Sequence, residues 1–551
     1  MENTMARIGV RLHDLAGKLR AVAGWRRAAA AFLLGLSGAA AMAPLYILPL
    51  LVVAFSGFVI LLDGAADSAH PRRRAFNTGW WFGFGYFLGG VYWMSFSFFV
   101  QAEQFAWMAP FAVMGMPAGL ALFSGAAALL AILSWRTGWP RILFFAALFS
   151  VFEYLRGHIL TGLPWNLAGQ ALAGSAAGAQ TAAWYGAYGL SFVAIALSAA
   201  AAGGLSRGAA PRVATLWVCA PVVGALIIFA VGAIRLSLAP SAAETPTAQL
   251  RIVQPNINQR DKINPEKWGD NFYRNLEFSR GPAPDDAPLF IIWPENAAPL
   301  LDEAPTALDV LASELPAGSS LIAGAVRRTV DDNGYYQYFN SIAVVEDDNG
   351  GRRVADHYDK HHLVPFGEYL PFYGLLNAIG LAQLAPYGDA GFAAGAGPAV
   401  LSSNGITFAV LICYEAIFPR AVYPKGERPQ LIVTATNDAW FGDTSGPRQH
   451  LDQARLRAIE SGLPMARSAN TGISALIDAH GRILARIPLY EAGEISAPMP
   501  PPLAPPLYDR IGDSLYFLLI FAALALGGWG HLLSRAVRQK LQPLRDTVKK
   551  P

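Results

Sequence analysis

Long apolar runs dominate residues 1–240 and return once near the C-terminus. A helix of about 20 apolar residues is long enough to cross the hydrocarbon core of a bilayer. Runs of roughly this kind occupy residues 28–44, 46–63, 77–100, 106–133, 142–160, 183–203, 213–234 and 513–534. Charged residues make up only 15% of the 551 residues, as expected for a chain that lies largely in lipid. The sequence therefore predicts a polytopic α-helical membrane protein with about eight spans.

Lysine and arginine fall in alternate loops between these runs. They precede the first run and follow the second, fourth, sixth and eighth, whereas the other loops are nearly free of them apart from Arg156. Because cytoplasmic loops carry the excess of Lys and Arg, both termini are expected in the cytoplasm. The region after the seventh run then lies on the extracytoplasmic side. A net charge of +3 is too small to suggest nucleic-acid binding.

Four segments follow from this pattern. Residues 1–27 are a basic, amphipathic cytoplasmic segment, which we expect to lie on the membrane surface. Residues 28–240 are a seven-span region, and residues 245–500 are an extracytoplasmic domain. Residues 501–551 hold a proline-rich tether, the final span and a basic cytoplasmic tail. Within the spans, Glu153 and Arg156 either pair with each other or contact a lipid headgroup or the extracytoplasmic domain.

The composition changes near residue 245, after the linker SLAPSAAETPTA. Short β-like runs then occupy residues 250–257, 289–296, 319–328, 339–346, 406–415, 430–438 and 472–484. Helical patterns fall between several of them, as at 271–279 and 449–461. Apolar strands interleaved with helices are typical of a sheet covered on both faces. This part of the chain is therefore predicted to form an α/β sandwich.

Three strands of this domain are predicted to end in an ionisable residue. Glu295 follows LFIIWP, Lys360 lies in VADHYDKHHLVPFGEYLP, and Cys413 follows FAVLI. A thiol is a strong nucleophile only as the thiolate, so it needs a base, and an ammonium can stabilise the resulting oxyanion. The three groups suffice for acyl transfer through a thioester. Taken singly, each also has an ordinary explanation, a strand-end salt bridge for Glu295 and Lys360 and a small core residue for Cys413.

The motifs WPENAAP, YDKHHLVPFGEYLP and LICYEAIFP resemble, in order and context, the Glu–Lys–Cys motifs of the nitrilase superfamily. The run from 437 to 483 and the arrangement of spans resemble one branch of it, the bacterial apolipoprotein N-acyltransferases. The resemblance covers nearly the whole chain. It implies an αββα sandwich for the inserted extracytoplasmic domain. It also implies a bacterial inner-membrane protein with this domain in the periplasm.

The resemblance also implies an activity. The family takes an acyl chain from a membrane phospholipid, commonly phosphatidylethanolamine, and holds it as a thioester. It then passes the chain to the α-amino group of the diacylglyceryl-cysteine of an apolipoprotein. Carried over by motif, Glu295 is the general base, Lys360 the oxyanion stabiliser and Cys413 the nucleophile. Glu368, Tyr414 and Glu415 match supporting positions around the site.

One position departs from the family pattern. The family usually has an aromatic residue after the first strand, in a Lys–Trp context, whereas Ile263 follows Lys262 here and the nearest tryptophan is Trp268. Either Trp268 takes that role through a longer loop or the role is dispensable.

A segment between Lys360 and Cys413 is rich in apolar residues, among them Phe372, Tyr373, Leu375 and Leu376. We expect a lid that dips into the outer leaflet and guides acyl chains to the thiol. The alternative is that the segment folds back as ordinary core.

No cofactor or metal is expected. A thioester is close in free energy to an oxygen ester and an amide is more stable, so the transfer needs neither ATP nor coenzyme A. No P-loop, CxxC or HExxH pattern occurs, and Cys219 is expected to be a buried, inert thiol in an apolar run. Three other functions remain open at this point: a membrane-anchored amidase that uses water as acceptor, a transporter with a solute-binding domain, and a scaffold with an inactive enzyme domain.

Overall fold

A computed structural model describes residues 2–135, 138–206, 211–239, 247–283, 287–348, 350–378, 391–420 and 422–527. The chain divides into two compact units. The first consists of Met1–Tyr92, Pro110–Ile234 and Ile511–Pro551, and the second of Trp93–Ala109 and Arg235–Arg510.

The first unit is helical. Its helices are Glu2–Ala21, Gly24–Ala39, Leu48–Ala66, Pro71–Val91, Ala109–Leu133, Pro140–Arg156, Ala176–Ala179, Ala182–Gly204, Pro211–Ser237 and Ser514–Gly527. Within the described residues, four helices are long and apolar enough to cross a membrane: Leu48–Ala66, Ala102–Leu133, Ala182–Gly204 and Trp217–Ser237. Each predicted apolar run contains or overlaps a helix within the described residues, so a membrane domain is supported. The count of eight spans stays a prediction.

One predicted run is longer than the helix that it contains. The third run was placed at 77–100, but the α-helix ends at Val91 and continues as a 3₁₀ helix, Tyr92–Phe99. From Trp93 onward this segment belongs to the second unit. Trp93 is 1% exposed because its ring packs on Phe441, with ring centroids 4.4 Å apart. One apolar run therefore contained both a helix of the first unit and residues that belong to the second unit.

Glu153 and Arg156 each find partners in the segment that follows their own helix. Glu153 accepts hydrogen bonds from the Ala168 amide and the Ser191 hydroxyl. Arg156 donates from Nη1 to the carbonyl oxygens of Leu163 and Trp165. Both side chains are buried, and these bonds offset the cost of removing their charges from water. They fix the non-helical backbone that precedes the helix Ala182–Gly204.

The second unit contains thirteen strands within its described residues. They are β1 Gln249–Gln254, β2 Leu289–Ile292, β3 Ala298–Pro299, β4 Ser320–Val330, β5 Tyr336–Asp348, β6 Gly351–Asp359, β7 Val400–Ser403, β8 Ile406–Ile412, β9 Leu431–Thr436, β10 Met465–Ala469, β11 Ser474–Ile477, β12 Ile483–Ile487 and β13 Gly493–Pro498. Its main helices are Trp268–Glu277, Pro305–Glu314 and Ser445–Ser461. Shorter helices are Gln259–Lys262, Tyr373–Ala378 and Leu507–Ile511.

These strands form two sheets, as far as the described residues extend. One has the order β13-β1-β2-β4-β5-β6, with β3 paired to β4, and the other has the order β12-β11-β10-β9-β8-β7. Three pairs of neighbouring strands are parallel, β1 with β2, β2 with β4, and β8 with β9, whereas β6 pairs with β5 in antiparallel orientation.

Side chains alternate between two cores along each inner strand. In β8, Phe408 and Val410 join a cluster that also contains Ile252 and Phe290 of the opposite sheet. Leu411, on the other face of β8, packs with residues of the helix Ser445–Ser461. Because successive side chains of a strand point to opposite faces, each sheet has one face on the other sheet and one face under helices. The domain is a helix–sheet–sheet–helix sandwich, and the predicted α/β architecture is confirmed.

Candidate active site

Glu295 stands in the loop after β2, and a glycine of the next strand determines how that loop runs. A Cβ placed on Gly324 of β4 would lie 2.1 Å from the Pro294 carbonyl oxygen and 2.6 Å from the Glu295 Cα. The Ala297 amide donates to the Gly324 carbonyl oxygen over 2.7 Å. Only glycine allows the backbone of the Glu295 loop to approach this closely. The carboxylate is thus held against the sheet and is 7% exposed.

Lys360 follows β6 and lies between two carboxylates. Its Nζ is 2.9 Å and 2.8 Å from the two carboxylate oxygens of Glu368, and 3.8 Å from Oε1 of Glu295. The Nδ2 of Asn340, in the middle of β5, donates to both Glu295 and Glu368 over 2.7 Å each. Lys360 is 1% exposed. The structure therefore brings Glu295, Lys360 and Glu368 into one buried cluster, bridged by Asn340.

Cys413 begins the turn that follows β8, and its backbone is left-handed. Its φ is +49°, although it carries a side chain, and it opens the 3₁₀ helix Cys413–Ile417. A non-glycine residue in this region costs about 1–3 kcal/mol and persists only where its surroundings hold it. His450 supplies one restraint, because its Nε2 donates to the Cys413 carbonyl oxygen over 3.0 Å.

The electrostatics of the cluster favour a resting state with a neutral thiol. Burial raises the pKa of Cys413, the charge of Glu295 raises it further, and Lys360 opposes both. Burial also raises the pKa of Glu295, against the opposing charge of Lys360. For Lys360, burial would lower the pKa, but Glu368 and Glu295 outweigh it and the pKa is raised. The arrangement is a protonated thiol, a carboxylate of increased basicity and a permanent ammonium.

Glu415 joins the Cys413 turn to the segment that carries Lys360. Its fully buried carboxylate accepts hydrogen bonds from the Ile412 amide, the His361 amide and the Tyr358 hydroxyl, over 2.8, 3.0 and 2.8 Å. Burial would raise the pKa of Glu415, but its hydrogen bond to His361 and the charge of that ring outweigh burial and the pKa is lowered. Glu415 is therefore a buried carboxylate that fixes two loops of the site.

Tyr414 lies beside this turn among other rings. Its ring centroid is 5.1 Å from that of Phe418 and 5.7 Å from that of His362. Burial raises the pKa of Tyr414, so its hydroxyl stays protonated. This packing is consistent with the positioning role expected from the sequence.

The segment predicted as a lid is described only in part. Phe372 is 72% exposed and has a φ of +56°, and the short helix Tyr373–Ala378 follows it. Tyr373 is half-buried. The side chains of Leu375 and Leu376, and residues 379–390, lie outside the described residues. An exposed phenylalanine agrees with a lipid-facing segment, and the lid itself stays a prediction.

The position that departs from the family pattern lies on the loop after β1. Ile263 ends the turn Gln259–Lys262, and Trp268 begins the helix Trp268–Glu277, with both side chains half-buried. The neighbouring Lys262 is buried and interacts electrostatically with Glu295. The sequence singled out this loop because an aromatic residue of the family pattern is missing from it. The structure shows instead that the loop carries a buried charged residue, Lys262.

A second buried network behind Cys413 was not predicted. Nδ1 of His450 lies 2.8 Å from Oδ1 of Asp438, and Nη2 of Arg467 is 2.7 Å from Oδ2 of the same carboxylate. Burial would raise the pKa of Asp438, but Arg467 and His450 outweigh it and lower the pKa to about 2. The motif NDAWFG and the histidine twelve residues after Asp438 were visible in the sequence, yet nothing in their spacing connected them to Cys413.

No group of three or more His, Cys, Asp or Glu residues suited to a metal ion occurs in the part of the chain that the structure describes. The charged groups that act on Cys413 are the carboxylates of Glu295 and Asp438 and the ammonium of Lys360. Their chemistry is that of acid–base and nucleophilic catalysis.

The sandwich and its buried Glu–Lys–Cys cluster define a carbon–nitrogen hydrolase domain joined to a helical membrane unit. The family model described as Carbon-nitrogen hydrolase matches residues 250–504, and the one described as Apolipoprotein N-acyltransferase N-terminal domain matches residues 34–200. The chain belongs to the apolipoprotein N-acyltransferase family.

Full-length relatives support this assignment. The chain is 40% identical over 541 residues to the Apolipoprotein N-acyltransferase of Rhodopseudomonas palustris, covering 95% of this chain and 98% of the relative. It is 41% identical over 526 residues to that of Bradyrhizobium diazoefficiens, covering 94% and 97%. A solved CN-hydrolase superfamily protein from Xanthomonas campestris is 19% identical, with a TM-score of 0.32 over 49% of this chain and 96% of that chain. The fold assignment rests on the two sheets and the family match.

Proposed function

We propose that this chain moves a fatty acyl chain from a membrane phospholipid, through a thioester on Cys413, to the α-amino group of the diacylglyceryl-cysteine of an apolipoprotein. Family membership makes the chain an acyltransferase with lipid and lipoprotein substrates. The observation that carries the proposed mechanism is the buried cluster of Lys360, Glu295 and Glu368, in which the charges of Glu295 and Lys360 act on Cys413.

The first half-reaction forms the thioester. Glu295 accepts the proton of the Cys413 thiol, and the sulfur attacks the ester carbonyl of the phospholipid. Lys360 stabilises the oxyanion of the tetrahedral intermediate. The ester C–O bond then breaks, Glu295 returns the proton to the leaving alcohol, and a lysophospholipid departs.

The second half-reaction releases the acyl chain. The neutral α-amine of the apolipoprotein attacks the thioester, the C–S bond breaks, and the sulfur is reprotonated. One site thus serves two substrates in turn, which is a ping-pong cycle. Asn340 and Glu368 hold the two catalytic charges, and Glu415 and Tyr414 hold the turn that carries the nucleophile.

The proposed setting follows from the substrates and the charge pattern. Lys and Arg in alternate loops support eight spans, cytoplasmic termini and a catalytic domain on the periplasmic face of a bacterial inner membrane. Phosphatidylethanolamine is the proposed donor. Phe372, Tyr373, Leu375 and Leu376 are the proposed lipid-facing lid.

Mass spectrometry of the protein purified from its own membrane tests the thioester. The wild type is expected to carry a hydroxylamine-labile fatty-acyl mass on the peptide containing Cys413, and Cys413→Ala is expected to lack it. Cys219→Ala is the matched control, because Cys219 is the chain's other cysteine and is exposed. An adduct that survives in Cys413→Ala, or none in the wild type after incubation with phospholipid, would refute the covalent mechanism.

A further inference from the structure

The buried amine of Lys262 has no role in the mechanism above. Lys262 is 8% exposed, and its Nζ makes no hydrogen bond within the part of the chain that the structure describes. An ammonium taken out of water without partners is costly. A buried and unpaired lysine is therefore expected either to be neutral for part of the time or to meet a substrate group.

The turn that carries Lys262 is firmly anchored. The Lys262 amide donates to the Asn258 carbonyl oxygen over 3.0 Å, and Asn258 caps the turn through its side chain. Asn437 donates to the side chain of Gln259 over 2.7 Å, and Arg260 donates to the Val100 carbonyl oxygen over 2.9 Å. Because the residues that precede Lys262 are held by these bonds, the fold sets the position of the Lys262 backbone.

The loops that carry Lys262 and Glu295 begin at the same edge of one sheet. β1 and β2 are adjacent and parallel, with Ile252 opposite Ile292, and the two residues follow these strands. Glu295 is the charged group that acts on Lys262, and Lys360 and Glu368 stand next to Glu295. Burial lowers the pKa of Lys262 to about 8 against the opposing charge of Glu295, close to the ordinary value of roughly 7.7–8.0 for an α-amino group.

In the second half-reaction of the proposed function, the acceptor nitrogen releases one proton that Glu295 does not accept. In water the α-amino group of the acceptor is an ammonium, and in the product it is an amide, so its nitrogen loses two protons. One returns through Glu295 to the Cys413 sulfur when the C–S bond breaks. The other must leave before the attack, because only a neutral amine has the lone pair that attacks the thioester carbonyl.

We propose that the neutral amine of Lys262 accepts this first proton from the acceptor ammonium, and later releases it to water. This inference rests on the proposed function, and it assigns Lys262 to the second half-reaction. It differs from a purely electrostatic role, in which a fixed positive charge at this position would support the Glu295 carboxylate in both half-reactions.

The two half-reactions are measured separately in the full-length protein in detergent–phospholipid micelles. Thioester formation is followed with a fluorescent phosphatidylethanolamine. Transfer is followed by adding a synthetic diacylglyceryl-cysteine peptide to the acylated enzyme at pH 6.5 to 9.5. The variants are Lys262→Met, which removes the amine, and Lys262→Arg, which keeps the charge but does not lose its proton in this range. Lys267→Met is the control, since Lys267 is half-exposed on the same loop.

The expected result separates the half-reactions. Both Lys262 variants form the thioester within about threefold of the wild-type rate, whereas transfer at pH 7 falls roughly tenfold, because only about a tenth of an α-amine with an ordinary pKa near 8 is neutral at pH 7 without a base. The transfer rate of both variants rises with pH as the peptide amine loses its own proton. Normal transfer by Lys262→Arg would overturn the proposal in favour of a fixed charge. Failure of both variants to form the thioester would overturn it too, and absence of a thioester in the wild type would instead refute the proposed function.

Discussion

His450 donates a hydrogen bond from Nε2 to the backbone carbonyl oxygen of Cys413, over 3.0 Å. The same imidazole lies 2.8 Å from Asp438, which Arg467 holds from the other side. A left-handed residue at the end of a strand is strained, so this bond restrains the peptide that carries the proposed nucleophile. We therefore expect His450 to be a positioning residue, which acts on the proposed reaction through the backbone of Cys413.

Replacing His450 by Phe is expected to slow thioester formation about tenfold, because a lost buried hydrogen bond is worth roughly 1–3 kcal/mol. The KM for phospholipid should change little, since His450 faces the backbone of Cys413. His450→Gln, which keeps a donor, should recover part of the rate. Arg448→Ala, on the exposed side of the same helix, is the control. A fall in kcat together with an equal rise in KM would instead indicate a general structural defect.

Asn340 is expected to matter because it donates to two carboxylates at once. In Asn340→Ala, Glu295 loses a donor and its pKa should rise further, so thioester formation should fall roughly tenfold at pH 7. Asn340→Asp should be worse, since it adds a third carboxylate around Lys360. A rapid-quench assay with labelled phospholipid measures the rate. An Asn340→Asp enzyme as fast as Asn340→Ala would contradict this account of the cluster.

The acid limb of the pH–rate profile is expected to report Glu295. The thiol can transfer its proton only to an ionised carboxylate, and burial raises the pKa of Glu295 above its ordinary value of 4.5. The rate of thioester formation should therefore be full above this raised pKa and be lost as the pH falls through it. Single-turnover rates between pH 4 and 8 locate the midpoint. A midpoint at or below 4.5 would show that a different group limits the reaction.

The lid prediction concerns lipid access. Polar residues in place of Leu375 and Leu376, or Phe372→Ser, should reduce turnover of a phospholipid donor far more than the reaction of Cys413 with a small soluble thiol reagent. Tyr335→Ser is a matched control, because Tyr335 is also 72% exposed and lies at the tip between β4 and β5. Parallel losses in both reactions would argue that the segment supports the core.

The sequence predicted the parts of the site that lie after strongly apolar strands. Cys413 follows β8 and Glu295 follows β2, and both strands are apolar on both faces because they lie in the middle of a covered sheet. No range was predicted for the strand before Lys360. β6 is the last strand of its sheet and its sequence GRRVADHYD is mostly polar, so no apolar run marks it.

Other features were not predicted because they depend on how the strands pair and pack. The predicted run 472–484 is two strands, β11 and β12, joined by a turn in which Gly481 has a φ of +73°. Asn340 sits in the middle of β5, and only the pairing of β5 with its neighbours brings it to two carboxylates. The His450 bond to Cys413 joins residues 37 positions apart. Contacts of this kind depend on the register of strands, which a single sequence does not specify.

The short segment Trp93–Ala109 determines where this protein can be divided into fragments. It belongs to the catalytic unit, yet it falls within residues 34–200, which match the N-terminal domain family. The polypeptide passes from one unit to the other four times, near residues 92, 109, 234 and 510. A fragment cut at the family boundary, from residue 250 onward, would lack Trp93 and leave its place beside Phe441 empty. A soluble version of the enzyme would need that peptide grafted back, so the two halves cannot be exchanged between relatives as independent modules.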